Sequence, residues 1–313
     1  MRRDLRLWIR VWYLLAQGMG VLGRLGSRSL LHEAKLDASS PERSQGEGVA
    51  VTGKGGRMSL DGMRGYLEFL ASLGMTKHPG SMEATRRLVA LCQIHSGQLV
   101  LDVGTGVGAT PVYLVREVGC CVVGVDLLER MVQQARERAR GNRVEGRAVF
   151  AASEARRLPF RDGTFDAVIM ESLNVFFEDK LSAIREYARV TRRGGSVGMS
   201  ELTWLREPSA EQAAYYRRTV YADTLQPEGW LALLEEAGLV EVAGHAEPID
   251  MPQESRGRLQ RYGCSGLVRV MVNAVTTMVK DRSSRAFVAD VSRSLPRNYM
   301  EGVGYGVYAG RKP

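Results

Sequence analysis

The chain has 313 residues, 44% of them hydrophobic, which excludes collagen-like, mucin-like and wholly disordered proteins and leaves material for one large core or two modest ones. Its formal charge of +8 is uneven: residues 1–57 hold 10 Lys/Arg against 5 Asp/Glu, and the rest 33 against 30, so no broad cationic face is expected and no nucleic-acid partner. Four cysteines without CxxC spacing exclude a disulfide scaffold and predict no metal site. They read as buried thiols of a reducing, cytoplasmic compartment.

In chain order, Leu5 to Leu22 is rich in Leu, Trp and Val but is broken by Arg6, Arg10, Gln17 and several glycines. A membrane span needs about 20 predominantly apolar residues, and no small-residue cleavage site follows to make the segment a signal peptide. Trp8, Trp12 and Tyr13 beside arginines instead fit an interfacial helix, so residues 5–22 are the expected place of peripheral membrane contact. Asp37 to Arg57 turns to Ser, Gly, Pro, Glu and Gln, the composition of a linker. This gives a leader and flexible linker over 1–57, an N-terminal helical segment over 58–97 and a main domain over 98–313.

Apolar spacing predicts helices over Leu60–Leu73 and Ser81–Cys92, separated by a Gly/Pro-flanked loop that carries His78. Beyond Leu99, strand candidates at Leu99–Val103, Cys121–Asp126, Ala148–Ala151, Ala167–Glu171 and Ser196–Leu202 alternate with amphipathic helices. That alternation predicts an α/β fold, a Rossmann-like doubly wound and mostly parallel sheet. Helical patterns at about 203–226 and 250–299 read as insertions over the active site. The Met/Val-rich stripe Leu267 to Val279 fits either such a cover or a homodimer interface.

The strongest local signal is Val100-Leu101-Asp102-Val103-Gly104-Thr105-Gly106-Val107-Gly108, an apolar strand ending in an acid and a glycine turn before a helix over Ala109–Val118. The glycines allow positive φ and close approach of a ligand to the backbone. A second strand ends in Asp126, eighteen residues beyond Gly108, where a carboxylate accepts from ribose hydroxyls in the crevice of a doubly wound sheet. Asp102 weighs against a dinucleotide: an acid just ahead of the glycines, pointing into the crevice, repels a pyrophosphate, whereas it could organise the turn and bind the ammonium of a methionine moiety, directly or through water. S-adenosyl-L-methionine is therefore the expected cofactor, held by Asp102, Gly104, Thr105, Gly106, Asp126 and the adjoining Leu127.

Together these residues resemble the class I methyltransferases, in particular the small-molecule branch that includes the ubiquinone/menaquinone, sterol and tocopherol methyltransferases. The likeness continues through Ser153-Glu154-Ala155-Arg156-Arg157-Leu158-Pro159-Phe160, Phe165-Asp166, Glu186, Arg189, the Gly194-Gly195 turn and Pro227 to Leu239, with a last strand at Gly304–Gly310. It covers most of residues 75–313. The resemblance implies that Glu154, beside Ala155, contacts the adenine amino group, although most members have Asp there. It implies methyl transfer to a small acceptor, with lipophilic ones among the candidates. Glu171 ends the fourth strand and His78 precedes the core, and these are the candidate catalytic bases; Glu171 is counted with the cofactor contacts as well. Tyr66, Trp204, Tyr215, Tyr216 and Tyr221 are candidates for an acceptor pocket. The competing readings are a non-catalytic methyltransferase-like binding subunit, a dinucleotide-dependent oxidoreductase and an RNA methyltransferase.

Overall fold

The computed structural model describes residues 81–313 apart from 220 and 297. The leader and linker of 1–57, the helix expected at Leu60–Leu73, Tyr66 and His78 lie outside the described residues. In chain order the elements are α1 (Ser81–Leu91), β1 (Leu99–Val103), α2 (Ala109–Tyr113) continued by a π-helical turn (Leu114–Val118), β2 (Cys121–Asp126), α3 (Glu129–Gly141), β3 (Ala148–Ala152) and β4 (Phe165–Glu171). Then follow α4 (Lys180–Val190), β5 (Thr191–Trp204), α5 (Ala210–Thr219), α6 (Pro227–Glu236), β6 (Val240–Pro248), α7 (Met251–Lys280), α8 (Arg282–Ser294) and β7 (Val303–Arg311).

The seven strands form one sheet in the order β3-β2-β1-β4-β5-β7-β6. All neighbours are parallel except β7, which runs antiparallel to both β5 and β6. The direction of winding reverses between β1 and β4, and at such a switch point the carboxyl ends of the strands leave a crevice. β1 and β4 are nearly continuous apolar runs because helices cover both of their faces. On one face α1, α2 and α3 bury Ala84, Leu88, Val112, Val132 and Ala135 against Val100, Val122, Ala167 and Ile169. On the other, α4 and α6 bury Ile184, Tyr187, Trp230 and Leu234 against Val168, Met170, Val197 and Met199.

Local chemistry sets the helix ends. Asp179 caps α4 by accepting from the Ser182 N–H at 2.9 Å, and Pro227 opens α6 where a missing N–H does no harm. In α3, Glu129 in the first turn and Arg138 and Arg140 in the last complement the helix dipole, while Met131, Val132, Ala135 and Ala139 form the buried stripe. α1 lies so close to β5 that a Cβ at Gly198 would overlap Cys92 Sγ and stand 2.8 Å from Leu88 Cδ1.

Several expectations need correction. β5 starts at Thr191, which pairs with Phe165, and runs to Trp204, because β7 pairs with it from Ser196 to Trp204; the Gly194–Gly195 turn is thus part of the strand's beginning. β4 begins at Phe165 rather than Ala167, since Phe165 already pairs with Thr191. Cys92 and Cys120 are buried as expected, but Cys121, on the outer side of β2, and Cys264 are exposed. The 250–299 insertion is α7 and α8. α7 turns Val270, Ala274 and Met278 inward and leaves Val268, Met271, Val272, Val275 and Val279 exposed. Among the described residues no helix is long and apolar enough to cross a membrane.

Candidate cofactor site

The crevice is built on the turn after β1. Gly104, Gly106 and Gly108 have φ of 75°, 53° and 75°, a conformation that L side chains adopt only with strain. The N–H groups of Gly104 and Thr105 both donate to the Val125 carbonyl, at 2.8 and 2.9 Å, which ties the turn to the end of β2. Two further contacts leave no room for larger residues: a Cβ at Gly108 would stand 2.8 Å from that of Ala135, and one at Gly124 would stand 2.6 Å from the Phe150 ring and 2.7 Å from Thr105 Oγ1.

Each acid of the turn has a defined task. Asp102, 3% exposed, accepts from the Thr105 hydroxyl at 2.7 Å and so braces the loop from within. Asp126 accepts from the Gly106 N–H at 2.9 Å and from the Leu128 N–H at 3.0 Å, one on each carboxylate oxygen. Burial pushes its pKa above the ordinary carboxylate value, opposed by the N–H groups of Leu128, Gly106 and Leu127. Beneath it Val107, Leu128 and Met131 close a small apolar cluster, so Met131 is a packing residue. The Leu127 side chain is 53% exposed beside Asp126, an apolar surface at the mouth of the crevice.

Glu171, one residue beyond the Val103–Met170 pair, faces two helices. Its Oε1 accepts from the Thr85 hydroxyl of α1 at 2.7 Å and its Oε2 from the Thr110 hydroxyl of α2 at 2.5 Å. The carboxylate therefore fixes both helices to the end of β4. The following loop folds back: the methyl groups of Leu173 lie over Gly104, where a Cβ would meet them at 3.2 Å.

The third edge of the crevice comes after β3. Ser153 N–H donates to the Asp126 carbonyl at 2.9 Å, which places Glu154 and Ala155 next to Asp126. Glu154 is half-exposed and paired with Arg156 at 2.5 Å, and Ala155 is buried. The segment behind them is clamped by α4. Glu186 accepts from the Leu158 N–H at 2.7 Å, while Arg189 donates to the carbonyls of Phe160 and Leu158 at 2.9 and 3.2 Å and to Asp162 at 2.6 Å. Arg189, by hydrogen bonding, holds the Glu186 carboxyl below its usual range.

The residues expected from the sequence thus gather at one place: Asp102, Gly104, Thr105, Gly106, Asp126 and Glu171 around the turn, with Leu127, Glu154 and Ala155 along its rim. Trp204, Tyr215 and Tyr216 are buried, and the rings of Trp204 and Tyr216 meet edge to face at 5.0 Å. Trp204 and Tyr216 also line a cleft of about 190 Å³ with Glu207, Arg217, Asp223 and Gln226, above the end of β5. Sequence reasoning passed over Thr85, Thr110 and above all Glu201. The signal for Glu201 was a carboxylate inside the apolar run of β5, on the same face as Val197 and Met199.

A nucleoside-bearing cofactor with a methionine arm fits this donor set. The glycine turn admits close backbone approach, the Asp126 carboxylate oxygens could accept from ribose hydroxyls, and exposed Leu127 with Ala155 could offer apolar surface to a base. The strand order and this crevice define an α/β nucleotide-binding domain of the methyltransferase type. Residues 100–195 match the family described as "Methyltransferase domain". The chain is 30% identical to 27-O-demethylrifamycin SV methyltransferase of Amycolatopsis mediterranei over 170 residues, 52% of this chain and 62% of that relative, so the match spans less than two thirds of the relative's length. Among solved structures it is similar to a methyltransferase from Thiobacillus denitrificans in complex with S-adenosyl-L-homocysteine, at TM-score 0.59 and 22% identity, covering 79% of this chain and 98% of that one. It is similar in fold to the cyclase SpnF as well, at TM-score 0.62 and 21% identity, covering 79% and 93%.

Proposed function

We propose that this chain transfers the methyl group of S-adenosyl-L-methionine to a small-molecule acceptor held beside the crevice between β1 and β4. The observation that carries the reading is the turn itself, with three positive-φ glycines flanked by two acids that each brace it by hydrogen bonds. When bound, the cofactor supplies a methyl group activated on a sulfonium. The chain's part is binding and alignment. Asp126 accepts from the ribose, Glu154 with Ala155 and Leu127 receives the adenine, and Asp102 orders Gly104, Thr105 and Gly106 around the methionine arm. The cleft lined by Trp204, Tyr216, Glu207, Arg217, Asp223 and Gln226 is the proposed acceptor pocket. Its mixed aromatic and polar lining suits an acceptor with an apolar body and a polar group. Alignment of the acceptor atom within about 3 to 3.5 Å of the methyl group lowers the entropic part of the barrier. For an acceptor that loses a proton, Glu171 is the proposed base among the described residues, and His78 the one outside them.

Two partner readings accompany this one. The exposed Val268, Met271, Val272, Val275 and Val279 of α7 support a homodimer, which sedimentation of the full chain tests. Peripheral membrane contact through residues 5–22 predicts that the full chain sediments with anionic vesicles, that salt weakens this, and that the chain starting at Met58 does not sediment while still binding cofactor. Equal sedimentation of both removes the membrane reading. The test of function is transfer of labelled methyl from S-adenosyl-L-methionine to a panel of small amphipathic acceptors. A labelled product lost in Asp126→Ala supports the reading. Tight cofactor binding without transfer to any acceptor or to a cell extract favours a non-catalytic binding subunit.

A further inference from the structure

Behind the crevice, on the α4–α6 side of the sheet, Glu201 of β5 is fully buried. Its Oε1 accepts three hydrogen bonds, from the Leu173 N–H at 3.1 Å, the Asn174 N–H at 2.7 Å and the Asn174 side-chain amide at 3.0 Å. Its Oε2 accepts none among the described residues. Asn174 is buried too, and its Oδ1 accepts from the Tyr187 hydroxyl of α4 at 3.3 Å. The loop that this carboxylate gathers is the one whose Leu173 methyl groups lie over Gly104. One residue further on, the Val175 carbonyl accepts from the Asp223 N–H at 2.7 Å, and Asp223 lines the cleft. A buried carboxylate is an expensive choice if its only work is to cap two N–H groups, since an Asn or Gln oxygen accepts the same bonds without carrying charge into the core.

We propose that Glu201 is a positioning residue for the cofactor: by drawing Leu173 and Asn174 onto one carboxylate oxygen it holds Leu173 against Gly104 and sets the wall of the crevice between β1 and β4. The inference rests on the reading that the glycine turn holds the cofactor. The ionised carboxylate makes charge-assisted bonds and holds the loop firmly; the protonated one holds it more weakly. The groups facing it are Lys180 and Tyr187 of α4 and Tyr308 of β7. Lys180 donates to the Phe177 carbonyl at 2.7 Å and pairs with Asp223 at 3.3 Å, and the two phenols are pushed up by burial. Burial raises the Glu201 carboxyl to about 7, opposed by the Asn174 and Leu173 N–H groups and by Lys180. Its charge therefore changes near neutrality.

The experiment titrates S-adenosyl-L-homocysteine into the full chain, Glu201→Gln, Leu173→Ala and the double variant between about pH 5.5 and 8.5. In the parent, affinity rises with pH through a midpoint near 7. Glu201→Gln binds about tenfold more weakly at the alkaline end and loses the rise centred near 7, and its effect largely vanishes in the Leu173→Ala background, because both changes act on one contact. Any contribution from Asp126 is common to parent and variant and cancels. Parent-like affinity and pH profile in Glu201→Gln, or additive effects in the double variant, overturn the proposal, whatever happens to the melting temperature. If Glu201→Gln does not fold, a pH-independent parent affinity or an unchanged affinity in Leu173→Ala overturns it. Asp126→Ala separates the premise: if that change leaves affinity intact, the location of the site is wrong, whereas weakened Asp126→Ala with parent-like Glu201→Gln refutes only the role of Glu201.

Discussion

Replacing Glu201 by Gln removes a buried titratable group and keeps an oxygen for the three hydrogen bonds, so it isolates what the buried charge does to stability. Desolvation raises this carboxyl from 4.5 to about 7. A carboxyl raised above its unfolded value contributes stability that is complete below the unfolded pKa and is lost as pH rises through the folded one. The window therefore runs from pH 4.5 to about 7. At about 1.4 kcal/mol per pKa unit, the stability of the parent relative to Glu201→Gln should fall by roughly 3 kcal/mol across it. Urea unfolding followed by far-ultraviolet circular dichroism, with both proteins at several pH values from acid to mildly alkaline, reads this difference. Gln should be nearly neutral or destabilising at low pH and stabilising relative to Glu above neutrality. A difference independent of pH refutes the claim that a charge is carried in the core at this point. The expected behaviour is a trade of stability for a firmly held loop, of a kind common at functional sites.

Arg189→Ala should destabilise the fold by about 1 to 3 kcal/mol, because it leaves the carbonyls of Leu158 and Phe160 without their donor, and urea unfolding measures it. The same variant should bind cofactor more weakly through the Glu154–Phe160 segment; unchanged stability would show that the clamp is redundant. Gly124→Ala forces a methyl group against Phe150 and Thr105, so a loss of roughly 1 to 3 kcal/mol in stability is expected with reduced cofactor affinity. Thr85→Val and Thr110→Val each strip one donor from Glu171, and hydrogen exchange of α1 and α2 should accelerate if that carboxylate fastens them. Unaltered exchange in both would leave Glu171 free of that task.

Much of this architecture is legible in the sequence, for reasons visible in particular residues. The turn after Val103 could be read because glycines at positive φ and two strand-terminal acids have few other uses together. β1 and β4 could be read because burial on both faces leaves a nearly continuous apolar run. The start of β5 was hidden, since Thr191 to Gly195 carries no apolar pattern and becomes strand through Phe165, which pairs with Thr191, and through the bonds of Gly194 and Gly195 to Lys312. The work of Glu186 and Arg189 was visible as a likeness only; their clamp on Leu158 and Phe160 joins residues nearly thirty positions apart. Glu201 was missed for the same reason. Its partners lie on the loop after β4, and no local spacing announces a contact across two strands.

The most direct test of the central claim is calorimetric titration of S-adenosyl-L-homocysteine into the parent and Asp126→Ala, with a nicotinamide dinucleotide as the competing ligand. The account predicts binding of S-adenosyl-L-homocysteine by the parent, none of the dinucleotide, and a loss of about 1.5 to 3 kcal/mol in Asp126→Ala with an unchanged circular dichroism spectrum. Equal affinity in parent and variant, or preferential binding of the dinucleotide, would contradict it.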